Sequence, residues 1–418
     1  MTASFGEEMR RLMARRGLSL HRLATLASYD VGYLSKVMNG RKPASRALAA
    51  RLEEVLGAEG VLLAAASQAP GGKASAGPGR GGVSLPGSRE PRLAGPFAPS
   101  VVGLVSRALY HRGPWRAEEP PDLAVLRRRV AAAWELRQSA RYVALGEWLA
   151  GLLCDASAVA GALRAEQDTL EATAIVVHAC NAASSLLKRL EAFELAAIAA
   201  DRAYQAARTT GDKLLQASAA LRLANVFLSG GRHGEAIEVA AGAAEPLMAG
   251  TDAGDAGTAV CGALLLTASV AAARLDQAAQ AWELLGAAWA AGLRLGRDHA
   301  GLHAVFGPAN VLIHGVQVAT ELGDAREALR RADRISIGAV PAPLAERRAT
   351  LLIDIARSHA RQADHAAATG ALLDAERMAP EEIRFNAVAH RLAATLLHAA
   401  RGRAPELRAL ATRMSVQD

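Results

Sequence analysis

The sequence predicts an all-α chain in three parts: a small N-terminal helical bundle, a flexible connection and a long α-solenoid. Three observations predict it. Alanine and leucine dominate a composition that is 51% hydrophobic but only 4% aromatic, which favours helices packed through small residues. Residues 67–99 hold eight glycines and six prolines without an apolar period, so nothing there offsets the entropy of folding. From residue 100 onward, short turns recur at steps of roughly 40 to 50 residues, the spacing of stacked helix pairs.

Each element has a local cause. Ser4 and Glu7 have capping-box spacing ahead of Phe5, Met9 and Leu12, which share one helical face. Gly17 ends that helix. Ser19 caps a second, which buries Leu20, Leu23 and Leu26 or Ala27. Asp30 caps a third, with Leu34 and Val37 inward. Asn39 and Gly40 stop it, because both tolerate left-handed backbone. A fourth helix follows Pro43 and carries Leu48, Leu52, Val55 and Leu56. These helices make a first domain over residues 1–66, with the connection over 67–99 and the repeats over 100–418. The connection contains "PGGKAS" (70–75), a near miss to a phosphate-binding loop. Lys73 is followed by Ala74, and no strand precedes it. Beyond it, the turns "LEAFEL" (190–195), "GRHGEA" (231–236), "RLDQAA" (274–279), "GDAREA" (323–328) and "ADHAAA" (363–368) each close an expected helix pair. The longest step contains "RDHAGLHAVFGPAN" (297–310), an inserted connection ending in Pro308 at a helix start.

Charge separates the parts further. The formal charge is +7, and residues 1–99 hold 14 Lys and Arg against 7 Asp and Glu. The remainder is balanced, 34 against 34. A cationic module on a neutral body implies a polyanion partner for the module alone. Cys154, Cys180 and Cys261 lie far apart without CxxC spacing, which fits a reducing cytosol and argues against a disulfide framework or a thiolate zinc site. The N-terminus has no apolar core of signal-peptide length. No charge-free apolar stretch reaches membrane-spanning length; "VCGALLLTASVAAA" (260–273) comes closest. A cytoplasmic protein without a membrane partner is expected.

Catalytic and metal patterns are weak. His299 and His303 are four apart beside Asp298, so on a helix both imidazoles would share a face, but no third ligand is evident. No nucleophile sits on a strand–turn–helix. Trp134, Trp148, Trp282 and Trp289 lie on amphipathic helices and read as core. No enzyme activity and no cofactor are expected.

The string "YLSKVMNGRKPAS" (33–45), with the preceding helix and tight turn, resembles the Xre/Cro-repressor type of helix-turn-helix. Tyr33, Leu34, Ser35, Val37 and Gly40 match that family's recognition helix and its end. The resemblance implies that this helix enters the major groove of double-stranded operator DNA with its N-terminal residues on base edges. Val31, Gly32, Ser35 and Lys36 then share the outward face. Lys36 donates to guanine O6 and N7, Ser35 reaches a base or phosphate, and Val31 meets a thymine methyl. Arg41, Lys42 and Arg46 sit where the family grips phosphates, with Arg22 expected to do the same. The family often has Gln, Arg or Ser where this chain has Val31 and Gly32. Recognition is therefore expected to lean on backbone contacts and DNA shape.

The repeat region loosely resembles tetratricopeptide-like arrays, without their strict consensus. Such a region behind an Xre-type head resembles regulators whose solenoid senses a ligand, including bacterial peptide-pheromone receptors and large actinobacterial regulators. When the first helix of each repeat is registered by its following turn, a polar row emerges. It comprises Asn181, Ser184 and Lys188; Ser218, Arg222 and Asn225; Asn310, His314 and Gln317; and Asp354 and Arg357. The row suits an extended peptide or a polar small molecule on the concave face; the plainer alternative is a solvated helix face. The reading is a DNA-binding transcriptional regulator, a homodimer because one head offers few contacts, whose repeats sense a ligand or dimerise. The alternative is a solenoid adaptor for a protein or peptide partner.

Overall fold

A computed structural model describes residues 5–27, 31–40, 44, 46–58, 60–62, 65, 98–110, 122–163, 165–249, 254–299, 301–336, 338, 344–400 and 404–414. Among the described residues, extended backbone pairs only at one bridge, between His299 and Phe306; all else regular is helical. The chain separates into two compact units, residues 1–86 and 87–418.

The first unit contains α1 (Phe5–Arg15), α2 (Leu20–Ala27), α3 (Val31–Met38) and α4 (Arg46–Leu56). Met9, Leu23, Leu34, Leu48 and Leu52 are fully buried, the inward faces that the spacing predicts. Ser19 Oγ accepts from the Arg22 amide at 3.2 Å and caps α2. Gly17 and Gly40 end α1 and α3 with φ of +60° and +68°. The expected caps at Ser4 and Asp30, and Pro43, lie outside the described residues. Gly6 has a different task. A Cβ there would lie 2.1 Å from the Met38 carbonyl oxygen, so α1 passes α3 too closely for a side chain. Arg10 fastens the same crossing, donating to Met38 O at 2.9 Å and Asn39 Oδ1 at 3.1 Å.

The second unit opens with α5 (Ala98–Tyr110), which starts two residues inside the stretch read as connection. The rest of that stretch, "PGGKAS" included, lies outside the described residues. Antiparallel pairs follow: α6 (Leu123–Gln138) with α7 (Tyr142–Ala162), α8 (Glu166–Arg189) with α9 (Phe193–Thr210), and α10 (Lys213–Ser229) with α11 (His233–Ala249). Then come α12 (Gly254–Arg274) with α13 (Ala278–Leu295), α14 (Pro308–Glu321) with α15 (Ala325–Ala332), and α16 (Ala345–Arg361) with α17 (His365–Met378). The short α18 (Pro380–Arg384), α19 (Ala387–Ala400) and α20 (Pro405–Met414) end the array. All five marked turns fall between the two helices of a pair. Acceptors at helix starts help: Asp324 takes the Glu327 amide and Asp364 the Ala367 amide.

Small residues let these helices approach closely, and α12 shows the extreme. It lies between neighbours on several sides, and 89% of its apolar window is buried. By length and composition, α7, α8 and α12 are each apolar enough to cross a membrane; α7 and α8 carry charges within that length, but α12 is charge-free from Ala256 to Ala273, which corrects the expectation that no such stretch exists. For α12 the physical reason is burial all round, which removes the polar face a surface helix keeps.

The array returns on itself. Arg137 of α6 and Arg189 of α8 both reach Glu346 of α16, at 3.4 and 3.2 Å. Arg189 also meets Glu382 of α18 at 3.0 Å, and the Tyr142 hydroxyl donates to that carboxylate. The Val143 amide donates to Glu381 at 3.0 Å. These contacts join the first repeats to the last and wall the concave side.

Candidate functional site

The concave side holds a chamber of about 780 Å³ and, adjoining it, an inner recess of about 110 Å³. Lys188, Asn225, Thr267, His314, Glu346 and Arg347 border both. Most of the polar row converges here because every first helix turns the same face inward. Ser184, Arg222 and Asn310 line the recess, and Gln317, Asp354 and Arg357 line the chamber. Asn181 and Ser218 do not reach it. Both are buried between α8 and α10, where Asn181 Nδ2 donates to Ser218 Oγ at 3.4 Å. Their amide and hydroxyl serve helix packing, which corrects their place in the row.

The inserted connection forms one wall. His299 and His303 do not share a helix face, as a metal pair would need. Leu302 and His303 take left-handed backbone, with φ of +48° and +59°, and break the helix between them. His299 Nδ1 accepts the Gly301 amide at 2.8 Å. His303 instead stacks on Trp134, ring centroids 4.7 Å apart and nearly parallel, with His178 edge-on at 5.0 Å. The connection is anchored by Phe306, fully buried against Gly262 of α12, where any Cβ would lie 2.0 Å from the ring. Trp134 is therefore both core and recess wall. Trp148 and Trp289, read as core, are 40% and 36% exposed, because they face outward on α7 and α13.

Electrostatics divide the site. Burial pushes the Glu346 carboxyl up, but Arg137, Arg347 and Arg189 outweigh it and hold the group well below the usual range. Farther along, Arg274 and Arg357 meet Glu321 at 3.1 Å each, and Arg357 also meets Asp354 at 2.9 Å. Burial still raises Asp354 to about 6, against the pull of Arg357. In the recess, Lys188 and Arg222 lack such pairing among the described residues. Burial and the neighbouring guanidiniums of Arg189 and Arg137 lower Lys188 to about 7. Burial with Arg137 and Arg347 lowers Arg222 to about 9. Arg222 donates to His303 O at 3.1 Å and lies 4.9 Å over the Trp134 ring. Trp134, Arg137, His303, Glu346 and Arg347 belong to this site but not to the polar row. They come from a pair before the first aligned turn, from the connection, and from outside the aligned face, so register had no means to find them.

In the first unit, Arg22 of α2 and Lys36 of α3 are exposed, and Ser35 is half-buried. Asn39 Nδ2 lies 3.4 Å from Ser35 Oγ, so an exposed amide adjoins the expected reading face one turn on. Val31 and Gly32 open α3, and Arg46 opens α4. Arg41 and Lys42 lie outside the described residues.

Residues 4–66 match the family model of a helix-turn-helix domain. No curated protein matches the chain. Among solved structures, one described as the crystal structure of a Rap protein complexed with competence and sporulation factor is similar, at 11% identity and a TM-score of 0.41. The similarity covers 70% of this chain and 93% of that one.

Proposed function

We propose that this chain is a sequence-specific DNA-binding transcriptional regulator whose repeat unit receives a polar ligand in the walled chamber. The carrying observation is the coincidence of the helix-turn-helix match with the positive charge. Residues 4–66 lie in the quarter of the chain that holds all the excess Lys and Arg, and Lys36 stands exposed on the third helix. Phosphate attraction brings such a head to DNA, and Lys36 reads a base edge. Arg22, Arg41, Lys42 and Arg46 hold the backbone. Two heads on a pseudo-palindrome, with half-sites one turn apart, supply the contacts that one lacks. The contacts from α6–α8 to α16 and α18 favour a small ligand over the folded partner an open adaptor would bind.

The test is to recover and sequence the genomic fragments that the full chain retains. Fragments sharing a motif, with the shared motif lost or altered for Lys36→Ala, are the expected result. Retention without any common sequence, alike for both proteins, favours the adaptor.

A further inference from the structure

The recess carries more charge than its own residues satisfy. Among its ionisable lining groups, Arg137, Lys188, Arg222 and Arg347 face a single carboxylate, Glu346. That carboxylate is already shared: Arg137 and Arg189 reach Oε1, and Arg347 lies 3.8 Å from Oε2. Neither Lys188 nor Arg222 meets a carboxylate at ion-pair distance among the described residues. Burying an uncompensated cation is costly, so a fold that lines one recess with two of them needs a counter-charge.

Unpartnered polar atoms point the same way. Ser184 is fully buried, Trp134 is 4% exposed, and both line the recess. Among the described residues, Ser184 Oγ, Trp134 Nε1 and Arg222 Nε find no hydrogen-bond partner. Asn310, 4% exposed, leaves Oδ1 as an unpartnered acceptor beside them. Unmet buried polar atoms are uncommon, and several around one small cavity mark a place built for an occupant. The histidines add no charge at neutral pH. Burial, with neighbouring positive groups, lowers His178 to about 4 and His303 and His314 to about 3.

We propose that the recess binds an oxyanion, a carboxylate or phosphate group of the chamber's ligand, between Lys188 and Arg222, with Ser184 and Trp134 as further donors. The proposal rests on reading the chamber as a ligand site. It adds the chemical class: an acid whose remainder extends into the larger space. Planar guanidinium and point-like ammonium on one oxyanion form charge-assisted bonds, stronger than neutral ones.

The experiment follows thermal unfolding of the full chain at constant ionic strength, with inorganic phosphate, acetate or neutral acetamide added to a chloride buffer. One anion or both raise the Tm, the rise growing with the logarithm of concentration, and acetamide does not. Phosphate alone assigns a phosphate group, acetate alone a carboxylate. Lys188→Met and Arg222→Met each weaken the anion's apparent affinity by about tenfold or more, and Lys188→Met, which removes no hydrogen bond or ion pair among the described residues, does not lower the anion-free Tm. Should one variant fail to fold, the other carries the test. Three results overturn the proposal: no effect of either anion, an undiminished effect in both variants, or acetamide matching acetate. The last keeps the chamber as a ligand site while removing the anion. None bears on DNA binding, which the retained fragments report separately.

Discussion

At the scale of the residue, the chamber is held by polar groups that fold without full hydration. His178, His303 and His314 are kept neutral, lowered from 6.5 to about 4, 3 and 3 chiefly by burial. Their unfolded counterparts take up protons as pH falls through 6.5, while the folded ones do not. Each therefore withdraws up to about 1.4 kcal/mol of stability per pH unit below that value, until its folded pKa is reached. Asp354, raised to about 6, works in the opposite sense, because the folded state binds its proton first as pH falls. Urea unfolding from pH 7 to pH 5 is expected to show a net loss of up to about 3 kcal/mol per unit near the lower end. A flat profile would contradict neutral burial of these rings. Sequence made some of this visible. Arg222, Asn225 and His314 follow from i, i+4, i+7 spacing once the turns are aligned. Glu346 does not, because its partners Arg137 and Arg189 lie 209 and 157 residues away and only the return of the array brings them together.

At the scale of the element, helices and their turns were legible, and the path of the connection over 297–307 was not. Apolar period and turn chemistry repeat in every pair, so five turns could be placed from residues alone. The stretch reads as an inserted connection, but without a period neither its path is legible nor whether His299 and His303 share a helix face. Left-handed backbone at Leu302 and His303 breaks any helix there, and Phe306 decides the path by filling the space that Gly262 leaves. Gly262→Ala tests this. In an exposed helix the change would gain up to about 1 kcal/mol. Here it overpacks a buried ring and is expected to lose about 1–3 kcal/mol, read as a lower urea midpoint. Because Phe306 anchors the wall that carries His303, the same variant should also weaken the Tm response to the effective anion. Greater stability with an unaltered anion response would show that Phe306 does not set this wall. In the first unit the helix faces were equally legible. The close pass of α1 over α3 at Gly6 was not, since it depends on how two helices cross and not on either alone.

At the scale of the whole molecule, the chain is two units, the first cationic and the second balanced in charge, to which the proposed function gives different work. Charge bookkeeping along the sequence reveals the cationic first quarter without any structure, because it needs only position. The walled chamber needs the structure, because its cations belong to a part whose total charge is balanced. In this account Lys36 acts on DNA, and Arg222 acts only on what enters the chamber. The most direct test is the affinity of the full chain for a retained genomic fragment and for unrelated DNA, measured across salt without added ligand. Wild type, Lys36→Ala and Arg222→Met are compared. Binding should weaken steeply with salt for all three. Lys36→Ala should lose about 1–3 kcal/mol of preference for the retained fragment, while Arg222→Met follows the wild-type line. The reverse outcome, with Lys36→Ala indistinguishable from wild type and Arg222→Met losing DNA, would contradict the division of labour between head and repeats.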